Sequence, residues 1–138
     1  MIRHRLLIIE EETNMLKQYR QHFSPDYEVI VAGDPYTGLR RGLEAEPDLI
    51  ILSLASRTEE TNLLIQFKSI QQLAQVPVFA IRTNPTLTEI DHMMKFNLDL
   101  VLLKPVTPQK LEEEMAPFLN MSPPRQKRLT PYEIQGFE

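Results

Sequence analysis

The chain has no cysteine, which excludes disulfides, thiolate metal sites and cysteine nucleophiles. Glycine is nearly as scarce. Four glycines in 138 residues leave no glycine-rich turn to cradle a nucleotide phosphate. No apolar run approaches the length of a membrane span, and the first residues lack a signal-peptide core, so a cytoplasmic location is the default expectation. Excess charge is missing too. A net charge of −4 gives no support to non-specific binding of nucleic acid or membrane.

What is present is an ordinary globular composition, with 42% hydrophobic and 25% charged residues, long enough for one domain with a real core. The expected division is a domain over residues 1–120 and a tail over residues 121–138. Met121-Ser122-Pro123-Pro124 cannot continue a helix, and Arg125-Gln126-Lys127-Arg128 is a small basic cluster. The tail reads as a solvated linker stub, with a docking peptide as the alternative.

Strand and helix signals alternate five times. A strand is expected over Arg5–Ile9, then a helix capped by Thr13 or Asn14 that carries Met15, Leu16, Tyr19 and Phe23 at helical spacing. Ser24-Pro25-Asp26 breaks it before a second strand, Tyr27–Val31. Asp34 caps a second helix that starts at Pro35 and runs to about Ala45 despite Gly38 and Gly42. The third strand is Leu49–Ser53. A long helix from about Glu59 follows, with Leu63, Leu64, Phe67, Ile70 and Leu73 inward. Val76–Arg82 and Leu98–Leu103 read as strands four and five. Between them lies a helix over Thr86–Phe96, capped by Thr86 or Thr88, and Thr107-Pro108 opens a fifth helix ending near Phe118. Short apolar runs on both strand faces, alternating with helices, mean a right-handed, doubly wound parallel sheet between two helical layers.

Three of these strands end in residues that would share one pocket. Leu6–Ile9 runs into Glu10-Glu11-Glu12, Leu49–Leu52 into Ser53, and Val101–Leu103 into Lys104-Pro105. Ligands gather at the carboxyl ends of such strands. Two acids after strand one, a residue at the tip of strand three and a Lys-Pro pair after strand five resemble the phospho-acceptor pocket of bacterial response-regulator receiver domains. The resemblance spans about six-sevenths of the chain. It implies a flavodoxin-like (βα)5 sandwich with strand order 2-1-3-4-5, a histidine kinase, adaptor or output domain as partner, and pairing through helix four, strand five and helix five.

The departures from that family decide the functional expectation. Its acceptor is an aspartate, and Ser53 stands there. A neutral hydroxyl with no adjacent base supplies neither the nucleophile for an acyl phosphate nor a third metal ligand, and His4, His22 and His92 all lie elsewhere. Glu10 and Glu11 match the magnesium-binding acids but carry their carboxylates one methylene farther out, which suits tight octahedral coordination poorly. Lys104 matches the lysine that contacts the phosphoryl group, and here it is expected to neutralise Glu10 and Glu11. Arg82 replaces the small hydroxyl residue at the end of strand four, and Val101 replaces the aromatic of strand five. Thr83 supplies a hydroxyl if the strand end shifts by one.

Two readings of Arg82 stay open at this point: a bidentate reach to Glu10 or Glu11 in place of the metal, or projection into solvent. The loop Ala55-Ser56-Arg57-Thr58 also departs from the family, leaving the Ala55 carbonyl at its backbone-ligand position. The expectation is a pseudo-receiver: a protein-interaction module without enzymatic activity and without a cofactor. The alternative is a working receiver that takes a phosphoryl group at a non-standard site, with Mg²⁺ held by Glu10 and Glu11.

Overall fold

Apolar side chains on both faces of each strand force the sheet to be covered twice. In the computed structural model, which describes residues 3–120 and residue 124, five strands form one parallel sheet. They are β1 (Arg5–Glu10), β2 (Glu28–Ala32), β3 (Leu49–Ser53), β4 (Val78–Arg82) and β5 (Leu100–Leu103), in the order β2-β1-β3-β4-β5. The five helices are α1 (Thr13–Phe23), α2 (Pro35–Ala45), α3 (Arg57–Ser69), α4 (Leu87–Lys95) and α5 (Pro108–Asn120). This is the doubly wound architecture and strand order expected above. The anticipated tail lies outside the described residues except for Pro124.

The core divides at the sheet. Leu6, Ile8, Leu49, Ile51, Phe79 and Ile81 pack with Tyr19 and Phe23 of α1 and with Leu111 and Met115 of α5. The alternate residues Leu7, Ile9, Ile50, Leu52, Val78 and Ala80 pack with Leu63, Leu64 and Phe67 of α3 and Met93 of α4. Each fully buried aliphatic side chain contributes roughly 1.5–3 kcal/mol. Loop aspartates satisfy the first amides of two strands: Asp48 Oδ2 accepts from Arg5 N at 2.7 Å and Asp99 Oδ2 from Val78 N at 2.8 Å.

Several boundaries shift for identifiable reasons. Glu12, not Thr13 or Asn14, caps α1, its carboxylate accepting from the amides of Asn14 and Met15. Ser56 caps α3, which therefore begins at Arg57, two residues before the expected start, and ends at Ser69. Leu73 is buried from the turns that follow. Thr86 is the cap of α4, in a reciprocal capping box with Glu89. β4 starts at Val78 and β5 at Leu100, each two residues later than expected, and β2 is displaced by one residue.

The two glycines inside α2 are explained by how closely that helix lies on β1 and on α3. A Cβ on Gly38 would sit 2.5 Å from Ile9 Cδ1, and one on Gly42 would sit 2.8 Å from Phe67 Cε1. Gly38→Val should therefore cost about 2–3 kcal/mol of stability by overpacking, read from the urea midpoint at unchanged m-value. A neutral result would show that Ile9 has room to move aside.

Candidate functional site

Strand alternation decides which side chains meet at the carboxyl end of the sheet. Glu10 continues the Leu6–Ile8 series, Ser53 the Leu49–Ile51 series and Lys104 the Leu100–Leu102 series, all directed to the α1–α5 layer. The register sets Glu10 beside Ser53. Arg82 continues Val78 and Ala80, so it emerges on the opposite face, toward α3 and α4.

Glu10, Thr83 and Lys104 line a cleft of ≈ 640 Å³ between α1 and the loop leading into α5, with Tyr19, Pro105 and Val106 among its apolar walls. Glu10 is 2% exposed, and its Oε2 accepts from Glu12 N at 3.0 Å. Tyr19 donates its hydroxyl to the Val106 carbonyl at 3.2 Å. Burial, and then the charge of Glu10, push its phenol up to about 12. Glu11 is exposed and bends across to accept from Ala55 N, tying the first loop to the third. Ser53 is 2% exposed and its Oγ has no hydrogen-bond partner among the described protein atoms.

Lys104 follows β5 in an exposed position, before a cis peptide to Pro105, and donates its backbone N–H to the Arg82 carbonyl at 2.8 Å. Among the described residues no ion pair joins it to Glu10 or Glu11. Its charge acts instead on Glu60, whose carboxyl it helps hold down. Because β4 ends at Arg82, Thr83 is the next residue and enters the cleft as a hydroxyl. Val101 is half-buried against the α3–α4 layer.

Neither open reading of Arg82 holds. It is 5% exposed, and it pairs with Glu60 rather than Glu10 or Glu11, Nε lying 2.7 Å from Oε1 of a fully buried carboxylate. The Nε–H is not aimed along that line, so the contact is an ion pair without a well-formed hydrogen bond. The second oxygen, Oε2, accepts from Leu54 N at 3.1 Å. Burial pushes the Glu60 carboxyl up to about 7, against the opposing pull of Arg82, the Leu54 amide and Lys104.

Glu60 was missed from the sequence, although a signal existed. Positions 60, 63, 64 and 67 form one helical stripe, and its first member is an acid among Leu63, Leu64 and Phe67. An acid on a buried stripe and a base at the tip of a buried strand call for each other. Arg57, read above as part of the loop after strand three, opens α3 and pairs with Glu89 of α4. The loop after Ser53 shrinks to Leu54–Ser56 once α3 begins.

The donor set does not fit a magnesium ion. Glu10, Glu11 and Glu12 each accept from a backbone amide, Glu60 is turned to the other face, and no cluster of three metal-ligating side chains occurs among the described residues. No helix among them is long and apolar enough to cross a membrane.

Comparison with known proteins bears on the fold. No family model matches the chain. A sensor histidine kinase, TmoS of Ectopseudomonas mendocina, is 25% identical over 118 residues, 85% of this chain, which spans only 12% of that protein's length. Among solved structures, Vibrio cholerae chemotaxis protein CheY4 is similar with a TM-score of 0.78 at 17% identity, covering 85% of this chain and 99% of that one. A CheY-like receiver domain protein from Methanospirillum hungatei has a TM-score of 0.76 at 23% identity, over 86% and 95% of the two chains. The receiver domain of a histidine kinase from Syntrophus aciditrophicus has 0.77 at 17%, over 92% and 97%. The chain has the CheY-like fold of response-regulator receiver domains.

Proposed function

We propose that this chain is a pseudo-receiver, a cytoplasmic protein-interaction module that signals without aspartyl phosphorylation. One observation carries the reading: the tip of the central strand presents the buried hydroxyl of Ser53 where an acyl phosphate needs a carboxylate, and its Oγ has no hydrogen-bond partner among the described protein atoms. The carboxylates around Ser53 are already bound to backbone amides, and Arg82, the one buried cation among the described residues, faces Glu60 on the other side of the sheet.

Interaction then falls to the surface. Leu87 of α4 is 81% exposed and Leu103 of β5 is 62% exposed, with Met94 about two turns along the same face of α4 from Leu87. Such side chains along one edge suit a protein partner. In the simplest case this is a second copy of the chain, and otherwise a histidine kinase, adaptor or output domain. Incubation with acetyl phosphate and magnesium should leave both the intact mass and the sedimentation profile unchanged. A labile phosphoryl adduct would establish the rival, a working receiver with Mg²⁺ held by Glu10 and Glu11.

A further inference from the structure

On the α3–α4 face of the sheet, charges continue outward from the buried Glu60–Arg82 pair. Arg57 opens α3 and forms an ion pair with Glu89 of α4. The Glu89 carboxyl is held below its ordinary value, first by the Thr86 amide and hydroxyl, then by the charges of Arg57 and Arg82. Arg82 in turn contacts Glu60, one turn along α3 from Arg57. Signs alternate around this circuit, and three elements are joined by it: α3, α4 and the tip of β4.

We propose that Glu60, Arg82, Glu89 and Arg57 form a four-charge latch that fixes the first turn of α4, and with it the apolar edge carried by Leu87 and Met94, against the tip of β4. Glu89 is the point of leverage. Its Oε1 accepts from Thr86 N at 2.8 Å while Thr86 Oγ1 accepts from Glu89 N at 3.1 Å, so displacing Glu89 undoes the cap of α4 as well as its ion pair. A helix of nine residues has little else to hold its start. From neighbouring elements, Lys104 after β5 bears on the latch through its charge, and the His92 ring of α4 shares a small pocket with Arg57.

A buried ion pair is weak evidence for stability, because desolvation offsets the attraction. Its best-attested use is to select one arrangement over another. Here the arrangement selected is the pose of the surface that the proposed function assigns to a partner. The latch deepens that reading, since it gives Arg82 and Glu60 a task on the face opposite the cleft that needs no phosphoryl chemistry.

Hydrogen exchange of the full chain at pH 8, above the value of about 7 at which Glu60 takes up its proton, and without any phosphodonor, tests it. Glu60→Gln keeps an acceptor for Leu54 N but removes the charge, and should speed amide exchange over residues 83–95 at least tenfold while leaving β1 and β2 unchanged. Glu89→Gln should act in reverse, speeding exchange at residues 54–60. Arg57→Gln alters a side chain that is 55% exposed and should reproduce the α4 effect even if the buried variants fold poorly. Faster exchange confined to the substituted element in all three variants would overturn the latch. A phosphoryl adduct with the exchange pattern intact would overturn only the proposed function.

Discussion

Arg82→Ala should lower the unfolding free energy by about 3–5 kcal/mol at pH 9, the range for removing one partner of a buried ion pair. The Glu60 carboxylate is fully buried, and Arg82 is its only side-chain ion-pair partner among the described residues. Without it the charge would rest on the Leu54 amide and the more distant Lys104. The loss should be smaller at pH 6. Arg82 is the largest of the influences that hold the Glu60 carboxyl down, so its removal moves that group further up and lets it neutralise itself by binding a proton. Urea unfolding at the two pH values separates this from a simple packing loss, which would be the same at both. Converting both members together, as Glu60→Leu with Arg82→Met, should recover most of the stability, because two apolar side chains need no partner. A cost below about 1 kcal/mol for Arg82→Ala at pH 9 would contradict a desolvated charge.

The layered fold was legible because every strand announced itself. Leu6–Ile9, Leu49–Leu52 and Val78–Ile81 are apolar at consecutive positions, which only a sheet covered on both faces can bury. Periodicity alone does not order parallel strands, and the order came from the resemblance of the strand-end residues to a known family. Caps of ordinary type were readable, as with Asp34 and Thr86. Glu12 was not, since glutamate is outside the usual N-cap set and two hydroxyl or amide side chains follow it directly. The start of α3 was hidden for a related reason: Arg57, Thr58 and Glu59 carry no apolar periodicity.

At the site, Glu10 and Ser53 lie side by side because their strands are neighbours in register. Arg82 did not join them. Its place at the end of strand four suggested a reach to the acids, but the pleat sends it to the face opposite Glu10. That outcome depends on a one-residue parity at the end of β4, and composition is blind to it. Glu60 was readable in principle, as a charge on an apolar stripe whose partner had to come from another element.

The same buried carboxyl should make the domain less stable as the solution becomes less acidic, across a window where many proteins gain stability. Glu60 titrates at about 7 in the folded chain against an ordinary value of 4.5, so between those limits the folded state binds more protons than the unfolded one. Stability then falls as pH rises. The contribution is fully present below about pH 4.5 and is gone above about pH 7, and it amounts to roughly 3 kcal/mol at the standard conversion of pKa difference to free energy. Asp34 and Glu89 work the other way. Hydrogen bonds hold both carboxyls below their ordinary values, so their stabilisation is lost only as pH falls through the more acidic range, below the Glu60 window. Chemical denaturation of the parent and Glu60→Gln chains from pH 4 to 8 isolates the group, because the difference between the two profiles cancels every titration they share. The parent should lose stability between pH 5 and 7 relative to the variant. Parallel profiles would mean that Arg82 keeps Glu60 ionised throughout, so that the desolvation of this pair is fully offset by its own attraction. In that case the latch would be a source of net stability as well as of conformation.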